Sequence, residues 1–381
     1  MKKYFLILLL ISGIFISCGN SKETVSDDTL TIGVLAPLTG VNAEFGKGFE
    51  VATQMAADRI NEAGGINGRK IQFIVKDSKG DQKESSDLAR KFVDDKRVLA
   101  IIGDFSSGAC MANAPIVDEG GLVQLSPTAS NPDYAGMSDY CFSIVGRSDV
   151  EAPFFAKYVL SKYLGSKKVG VIYVNNDWGK AAYDNFAKQA KKDGLEIVET
   201  VSYVQDEKDF SSLITKLRAA NPDTIFIMDQ GAVSQIINQI RAANYDVRLT
   251  TLGVGTSQQL IDLCGKNAEG LLTTSPFFFD PEVPELINWQ KEFVSKTGFE
   301  ATVHAVLAYD CVLLLAEAIK NCGDDVTRKN IRDNLIKIEM NGITGPIKFN
   351  PEGDIARNYL ICGVRDGKFI VEKGFDYAQE Q

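Results

Sequence analysis

Residues 98–107 read VLAIIGDFSS, and residues 122–130 read LVQLSPTAS. Each stretch is an apolar run of strand character that ends at hydroxyl side chains. Strands that alternate with helices form a parallel sheet, and such a sheet binds ligands just beyond the carboxyl ends of its strands. The residues predicted to lie together at this edge are Ser107, Thr128, Ala129 and Ser130.

Two interpretations of these hydroxyl residues are open at this point. Beside the amides of a helix start, which favour a negative group, they would form a cradle for a small carboxylate. They would otherwise cap helices, which is the commonest role of Ser and Thr at such positions.

The remainder of the chain repeats the alternation of strand and helix. Strand Thr29–Ala36 is followed by a helix predicted over 46–63, and further units continue to a helix predicted over 330–338. Turn residues dominate 341–354, and a hairpin is predicted around Asp366. The fold class is therefore α/β, with parallel sheets that carry helices on both faces.

The composition excludes some classes of protein. The chain has 381 residues, of which 45% are hydrophobic and 24% charged, a balance typical of a globular protein of two domains. Its formal net charge of −9 argues against nucleic acid as a partner, because proteins that bind nucleic acid concentrate Lys and Arg. No metal-ligand spacing is present in the sequence, and we expect no cofactor.

The sequence also lacks the motifs of common enzymes. It has no Gly-x-Ser-x-Gly elbow and no phosphate-binding loop, and Gly253 and Gly255 lack the third glycine of a dinucleotide fingerprint. His304 is the only histidine, and no pattern places it beside Ser107 as a general base. We therefore expect a protein that is not an enzyme, with His304 as a structural or surface residue.

The first residues have the pattern of a secretory signal. Lys2 and Lys3 precede an apolar run over 4–16 that is too short to span a bilayer. The end of this run, FISCG over 15–19, resembles a bacterial lipobox with Phe where Leu is usual. We expect a signal peptide over 1–17, a lipid on the Cys18 thiol and a polar tether over 18–28.

The alternative is an ordinary signal peptide in which Cys18 is incidental. Either way the expected location is outside the cytoplasm. With the lipid, the protein would be anchored at the periplasmic or cell-surface face of a membrane, and the residues after Cys18 do not choose between the inner and the outer membrane.

Two roles are open for the other six cysteines. An even number permits disulfides in an exported protein, but the spacing does not choose among the pairings. They can equally be small buried apolar side chains. Cys311 and Cys322 are predicted to share one helix, which would hold them too far apart to bond.

Several motifs occur in one order along nearly the whole chain. The first of them are IGVLAPLTG at 32–40, FGKG at 45–48, ADRIN at 57–61 and GGING at 64–68. With this set, the sequence resembles the leucine/isoleucine/valine-binding proteins of bacterial ABC importers. The resemblance extends from about residue 29 to 371, and the set is specific although each motif alone is weak.

The resemblance implies a type I periplasmic binding protein fold of two lobes, each a parallel sheet between helices. It implies crossings between the lobes near Gly146, Pro276 and Gly345. A ligand would lie in the cleft, and the lobes would close on it by hinge motion. The implied lobes are 29–146 plus 276–344, and 147–275 plus 345–381.

The resemblance also implies roles for single residues. Ser107 and the loop over 128–130 would hold the α-carboxylate and part of the α-ammonium of an amino acid. Trp178, where the family usually has Tyr, would close over the ligand from the second lobe or pack on its own lobe. Phe45 would lie beside the ligand's side chain or pack in the core, and the phenylalanines at 277–279 are further candidates for an apolar wall.

The chain departs from the family pattern at one charge. The family has an aromatic residue at the position of Asp229 and a glutamate a little later, where this chain reads LGVGT over 252–256. Either Asp229 replaces the missing charge, or the ligand is an amide, urea or an aromatic acid and not an α-amino acid, because a desolvated ammonium needs a counter-charge. A third role for Asp229 is to cap the following helix.

These observations predict a lipid-anchored solute-binding component of an ABC importer for branched-chain or related amino acids. The expected partners are a small amino acid or related carboxylate and an ABC permease, and the protein would be a monomer. The alternative is a ligand-sensing partner of a receptor that uses the same cleft, because a fold alone does not decide function.

Overall fold

The computed structural model describes residues 29–253 and 257–372. The predicted signal peptide, tether and Cys18 lie outside these residues, as do Val254 and Gly255. Within the described ranges, no helix has the length and apolar character needed to cross a bilayer.

The first sheet has five parallel strands in the order β2-β1-β3-β4-β5. Its strands are β1 (Thr29–Ala36), β2 (Lys70–Asp77), β3 (Val98–Ile102), β4 (Val123–Ser126) and β5 (Cys141–Ser143). The helices that connect them are α1 (Ala43–Glu62), α2 (Gln82–Asp94) and α3 (Ser107–Gly120). Alternation of apolar strands with amphipathic helices leaves both faces of this sheet covered.

The second sheet has seven strands in the order β14-β13-β10-β9-β8-β6-β7. The strands are β6 (Lys168–Val174), β7 (Glu196–Tyr203), β8 (Thr224–Met228), β9 (Arg248–Thr251), β10 (Leu272–Ser275), β13 (Leu360–Arg365) and β14 (Lys368–Val371). β6 to β10 run parallel, and the hairpin β13–β14 pairs antiparallel to β10. The helices are α4 (Ser148–Phe154), a π-helix (Phe155–Tyr163), α5 (Asp177–Lys192), α6 (Ser211–Ala219), α7 (Val233–Ala242) and α8 (Gln258–Cys264).

Between β10 and β13, the chain returns to the first sheet. Its last helices are α9 (Pro284–Thr297), α10 (Val303–Asn321) and α11 (Arg328–Leu335), and they precede the hairpin of β11 (Glu339–Gly342) and β12 (Gly345–Lys348). α10 packs against α1. Ile347, Phe349 and Ile355 belong to the apolar cluster of the first sheet, whereas Ile361 and Val364 belong to that of the second.

The predicted α/β class with parallel sheets is confirmed, and the differences lie at element ends. α1 begins at residue 43, three residues before the predicted start at 46. The side chain of Asn176 accepts a hydrogen bond from Gly179 N at 2.8 Å, which caps α5 and places Trp178 in its first turn.

The sequence analysis did not predict the helical residues 148–163 or the short strand β5. Pro153 interrupts the apolar pattern inside α4, and the wider turns of the π-helix break the 3.6-residue period. Among the described cysteines, none is paired in a disulfide, and all except the partly buried Cys322 are buried.

Arg357 ties together the segments where the chain passes from one sheet to the other. Its guanidinium donates to Ile144 O at 2.9 and 3.0 Å, and to Thr344 O at 2.9 Å. Asp310 on α10 accepts from Thr344 N at 2.9 Å and from its hydroxyl at 2.6 Å. A Cβ on Gly146 would lie 2.7 Å from the Tyr359 hydroxyl and 2.9 Å from Arg357 Cγ. The chain at Gly146 therefore passes close against the chain at 357–359.

Replacing Arg357 by Met should lower the free energy of unfolding by about 3 kcal/mol, because buried carbonyls lose charged donors. Urea unfolding measures this change. Arg90→Met, at an exposed position on α2, is the matched control and should stay within about 0.5 kcal/mol of wild type. Equal stability of the two variants would contradict the role given to Arg357.

Candidate functional site

The structure brings the hydroxyl residues of the two strand ends together. Ser106 caps α3, because its hydroxyl accepts from Ala109 N at 3.2 Å. Ser107, in the first turn, accepts from Asn131 N at 3.2 Å and is 1% exposed. Of the two neighbouring serines, one therefore serves as the cap and the other contacts the loop after β4.

The loop over 126–131 is held on the end of β3 by short hydrogen bonds. Thr128 Oγ1 donates to Phe105 O at 2.7 Å. Ser126 Oγ accepts from Thr128 N at 3.2 Å and from Ala129 N at 2.9 Å, and it donates to Asp104 O at 3.0 Å. The loop is thus fixed in shape before any ligand arrives.

This loop contacts the helix that begins after β6 in the second sheet. Trp178 Nε1 donates to Ser130 Oγ at 2.9 Å, and Asn131 Nδ2 donates to Asp177 O at 3.2 Å. Trp178 also belongs to the apolar cluster of the second sheet. The side chain therefore packs on its own half and reaches the other half with its one polar atom.

Asp229 lies at the end of β8 and is 4% exposed. Its carboxylate accepts from Gly231 N at 2.8 Å and from Ala232 N, in the turn that precedes α7. The N-cap of α7 is Ala232, and no side chain caps this helix. The Tyr203 hydroxyl, which is buried and has no hydrogen bond of ordinary geometry, faces it. Burial, and next the Asp229 carboxylate, raise the pKa of Tyr203 well above its usual value.

A cavity of about 30 Å³ adjoins Asp229, and it is too small for an amino acid. Asn42, from the loop before α1, lines it opposite Tyr203, and Asn42 Oδ1 is buried without a hydrogen-bond partner. These two unpaired polar atoms come from different halves of the molecule. The sequence analysis missed both, because neither has a motif that marks it.

Phe45 stacks in the core of the first half. Its ring lies 4.7 Å from that of Phe105 at 8°, and it meets His304 edge-on at 5.2 Å. His304 is buried, its Nδ1 has no hydrogen-bond partner, and burial lowers its pKa to about 4. His304 is therefore a neutral core residue and not a surface one.

Phe45 also lines a pocket of about 190 Å³ between the two halves. Glu44 lines the same pocket, and from the other half so do Ser257 and Leu260. Burial raises the pKa of Glu44 to about 7, which a hydrogen bond from Ser257 opposes and the nearby Asp262 reinforces. The sequence analysis did not name Glu44. Its position directly before Phe45, a predicted site residue, is the one feature of the sequence that points to it.

A larger groove of about 930 Å³ has neither Ser107 nor Trp178 among its lining residues. Phe277, Phe278 and Phe279 line it, together with residues of α9 and of the β13–β14 hairpin. Within the residues that the structure describes, no group of three or more His, Cys, Asp or Glu side chains could hold a metal ion.

Comparison with known proteins gives one family and several relatives. The family described as "Periplasmic binding protein" matches residues 29–368. An "Amino acid binding protein" of Pseudomonas aeruginosa is 32% identical over 55% of either chain. The "Leu/Ile/Val-binding protein homolog 1" of Brucella suis is 28% identical over 85% of this chain and 86% of its own.

A solved structure is also similar over nearly the full length. It is the branched-chain amino acid transporter substrate binding protein LivJ from Streptococcus pneumoniae in complex with isoleucine. The TM-score is 0.83 at 26% identity, over 90% of this chain and 97% of that one. The predicted resemblance and the absence of enzymatic character are thereby confirmed, while the roles of the single site residues stay predictions.

The burial of His304 should make the fold sensitive to acid. The unfolded chain binds a proton at the ordinary pKa of 6.5, whereas the folded chain does so only near pH 4, so stability falls as the pH drops between these values. The variant His304→Gln should lose roughly 3 kcal/mol less free energy of unfolding than wild type between pH 7 and pH 4.

Urea unfolding at several pH values measures this difference. The comparison is clean because His304 is the only histidine of the chain. Parallel pH profiles for wild type and variant would contradict the assignment of His304 as a neutral core residue.

Proposed function

The chain belongs to the periplasmic binding protein family, and from that premise we propose that it is the extracytoplasmic solute-binding component of an ABC importer for branched-chain or related amino acids. The observation that carries this proposal is the cradle at the strand ends, where Ser107, the loop over 128–131 and Trp178 meet. Cradles of hydroxyls and helix-start amides suit a carboxylate. Two of the relatives are named for leucine, isoleucine or valine, or hold isoleucine.

The proposed mechanism is closure of two lobes on the ligand. Ser107 and residues 128–130 would hold the carboxylate from the first lobe, and Trp178 would turn its indole N–H from Ser130 to the ligand. Contacts from both lobes favour the closed form, since only that form satisfies both sets. A permease could then distinguish the closed form from the open one.

We place the boundaries of the lobes at three crossings. Two are near Gly146 and Pro276, as the sequence predicts. The third lies between Ile355 and Leu360, because Ile355 packs with the first apolar cluster and the next strand belongs to the second sheet. In this proposal the hairpin β11–β12 is part of the first lobe, and the crossing predicted near Gly345 moves toward Arg357.

Export and a lipid on Cys18 complete the proposal. They are supported by the signal-like start of the sequence and by the extracytoplasmic location that the family implies. A lipid anchor would keep the protein near its permease without a membrane-spanning helix.

A ligand without an ammonium group is the second candidate. It is favoured by Asp229, whose carboxylate already accepts two backbone N–H groups at the start of α7. In that case the cradle would still bind a carboxylate, and Asp229 would only hold the turn that precedes α7.

A thermal-shift screen of the purified soluble protein tests the proposed function. Leucine, isoleucine or valine in large excess should raise the melting temperature, because a ligand that binds only the folded state stabilises it by mass action. Ser107→Ala should weaken binding of the same ligand about tenfold or more, since it removes a charge-assisted hydrogen bond.

The matched control is Ser202→Ala, at an exposed position on β7. It should leave both the melting temperature and the affinity unchanged. An amino-acid affinity of Ser107→Ala equal to that of wild type, measured by calorimetry, would count against the cradle.

Asp229→Asn separates the two candidate ligand classes. If Asp229 faces the ammonium, leucine should bind about tenfold or more weakly, while 4-methylpentanoate, which lacks the amino group, should bind as well as before. Asn can still accept the N–H groups of Gly231 and Ala232, so the fold should survive. Unchanged leucine affinity in calorimetry would exclude the pairing.

A further inference from the structure

Glu44 lies in the cleft but takes no part in the cradle. It is in the first turn of α1, beside Phe45, and it lines the pocket of about 190 Å³. The opposite wall comes from the start of α8, where Leu260 and Leu263 are apolar and Ser257 lies near the Glu44 carboxyl. This carboxyl therefore lies at a pocket between the two halves and is partly shielded from water.

The groups around Glu44 leave its negative charge uncompensated. Asp262 of α8, on the other half, repels the Glu44 carboxylate and so raises its pKa. On α1 the next cation is Lys47, which is paired with Glu50 at 2.5 Å. The pocket residues from the loop after β8 and from α7 are uncharged, as are those of α8: Gln230, Gly231, Val233, Ser234, Gln235, Gln259, Leu260 and Leu263.

We propose that Glu44 takes up a proton when the halves close on a ligand that is uncharged at this end of the cleft, and that its ionised carboxylate rejects ligands with a negative charge there. This inference rests on the proposed function, because it assigns a role to a residue of the same cleft. A second carboxylate beside Glu44 and Asp262 would be desolvated without a counter-ion, which is costly. An aliphatic side chain contacts Phe45 and Leu260 without that cost.

The pH dependence follows from linkage. In this structure burial raises the pKa of Glu44 from its ordinary value of 4.5 to about 7. The proposal assigns the raised value to the closed form and the ordinary value to the open form, in which water reaches the carboxyl. The closed form thus binds the proton more tightly, so its advantage is complete below pH 4.5 and is lost as the pH rises to 7. Ligand affinity should fall by up to about tenfold per pH unit in that interval and level off above it.

Calorimetry with leucine between pH 5 and pH 8.5, in two buffers of different ionisation heat, tests this inference. Wild type should take up close to one proton per leucine at pH 6 and show the slope in affinity. Glu44→Gln should show neither, while it keeps a group that can hydrogen-bond Ser257. The matched control is Glu62→Gln, exposed at the end of the same helix, which should behave as wild type.

Specificity gives a second readout. At pH 8, Glu44→Gln should lower the ratio of the dissociation constant for glutamate to that for leucine about tenfold. An unchanged ratio would overturn the role of Glu44 in specificity. If wild type binds leucine without a pH slope and without proton uptake, the proton-uptake inference fails while the proposed function stands. If wild type, Glu44→Gln and Glu62→Gln all fail to bind leucine at any pH, the proposed function itself fails.

Discussion

The geometry of the cleft depends on the hydrogen bonds of one buried hydroxyl, that of Ser126. It accepts from two successive amides of the following loop and donates to the backbone at the end of the neighbouring strand β3. These bonds fix the loop that carries residues 128–131, and that loop in turn contacts Ser107 and Trp178. A rigid loop lowers the cost of binding, because its backbone is ordered before the ligand arrives.

The polar atoms of the cradle are hydrogen-bonded to one another, within the first half of the molecule and across to the second. Ser107 accepts from Asn131 N, and Ser130 accepts from Trp178 Nε1. A ligand must therefore replace neutral hydrogen bonds, worth about 0.5–1.5 kcal/mol each, by stronger ones. A carboxylate does so, because hydrogen bonds to a charged acceptor contribute about 1.5–3 kcal/mol, whereas a neutral ligand gains little. In the proposed function, the cradle would therefore select for a carboxylate through hydroxyls and backbone N–H groups.

The sequence predicts those parts of the molecule that local patterns control. The α/β alternation and the meeting of Ser107 with the loop after β4 follow from apolar periodicity and from the geometry of parallel sheets. The surroundings of His304 and Glu44 could not be predicted in this way, because they depend on contacts across the chain. Phe45 contacts His304 although about 260 residues separate them in the sequence, and Glu44 and Ser257, which lie near each other, are also far apart in the sequence.

The two acids of the cleft show why residue type alone does not assign a role. Asp229 lies at the start of a helix and accepts backbone N–H groups, an environment that stabilises a negative charge. Glu44 lines a pocket beside apolar side chains, and burial, reinforced by the nearby Asp262, raises its pKa to about 7. A zwitterion that enters between them would meet Asp229 at one end and this easily protonated acid at the other. The direction in which an amino acid lies in the cleft then follows from where each acid is placed, and not from how many acids there are.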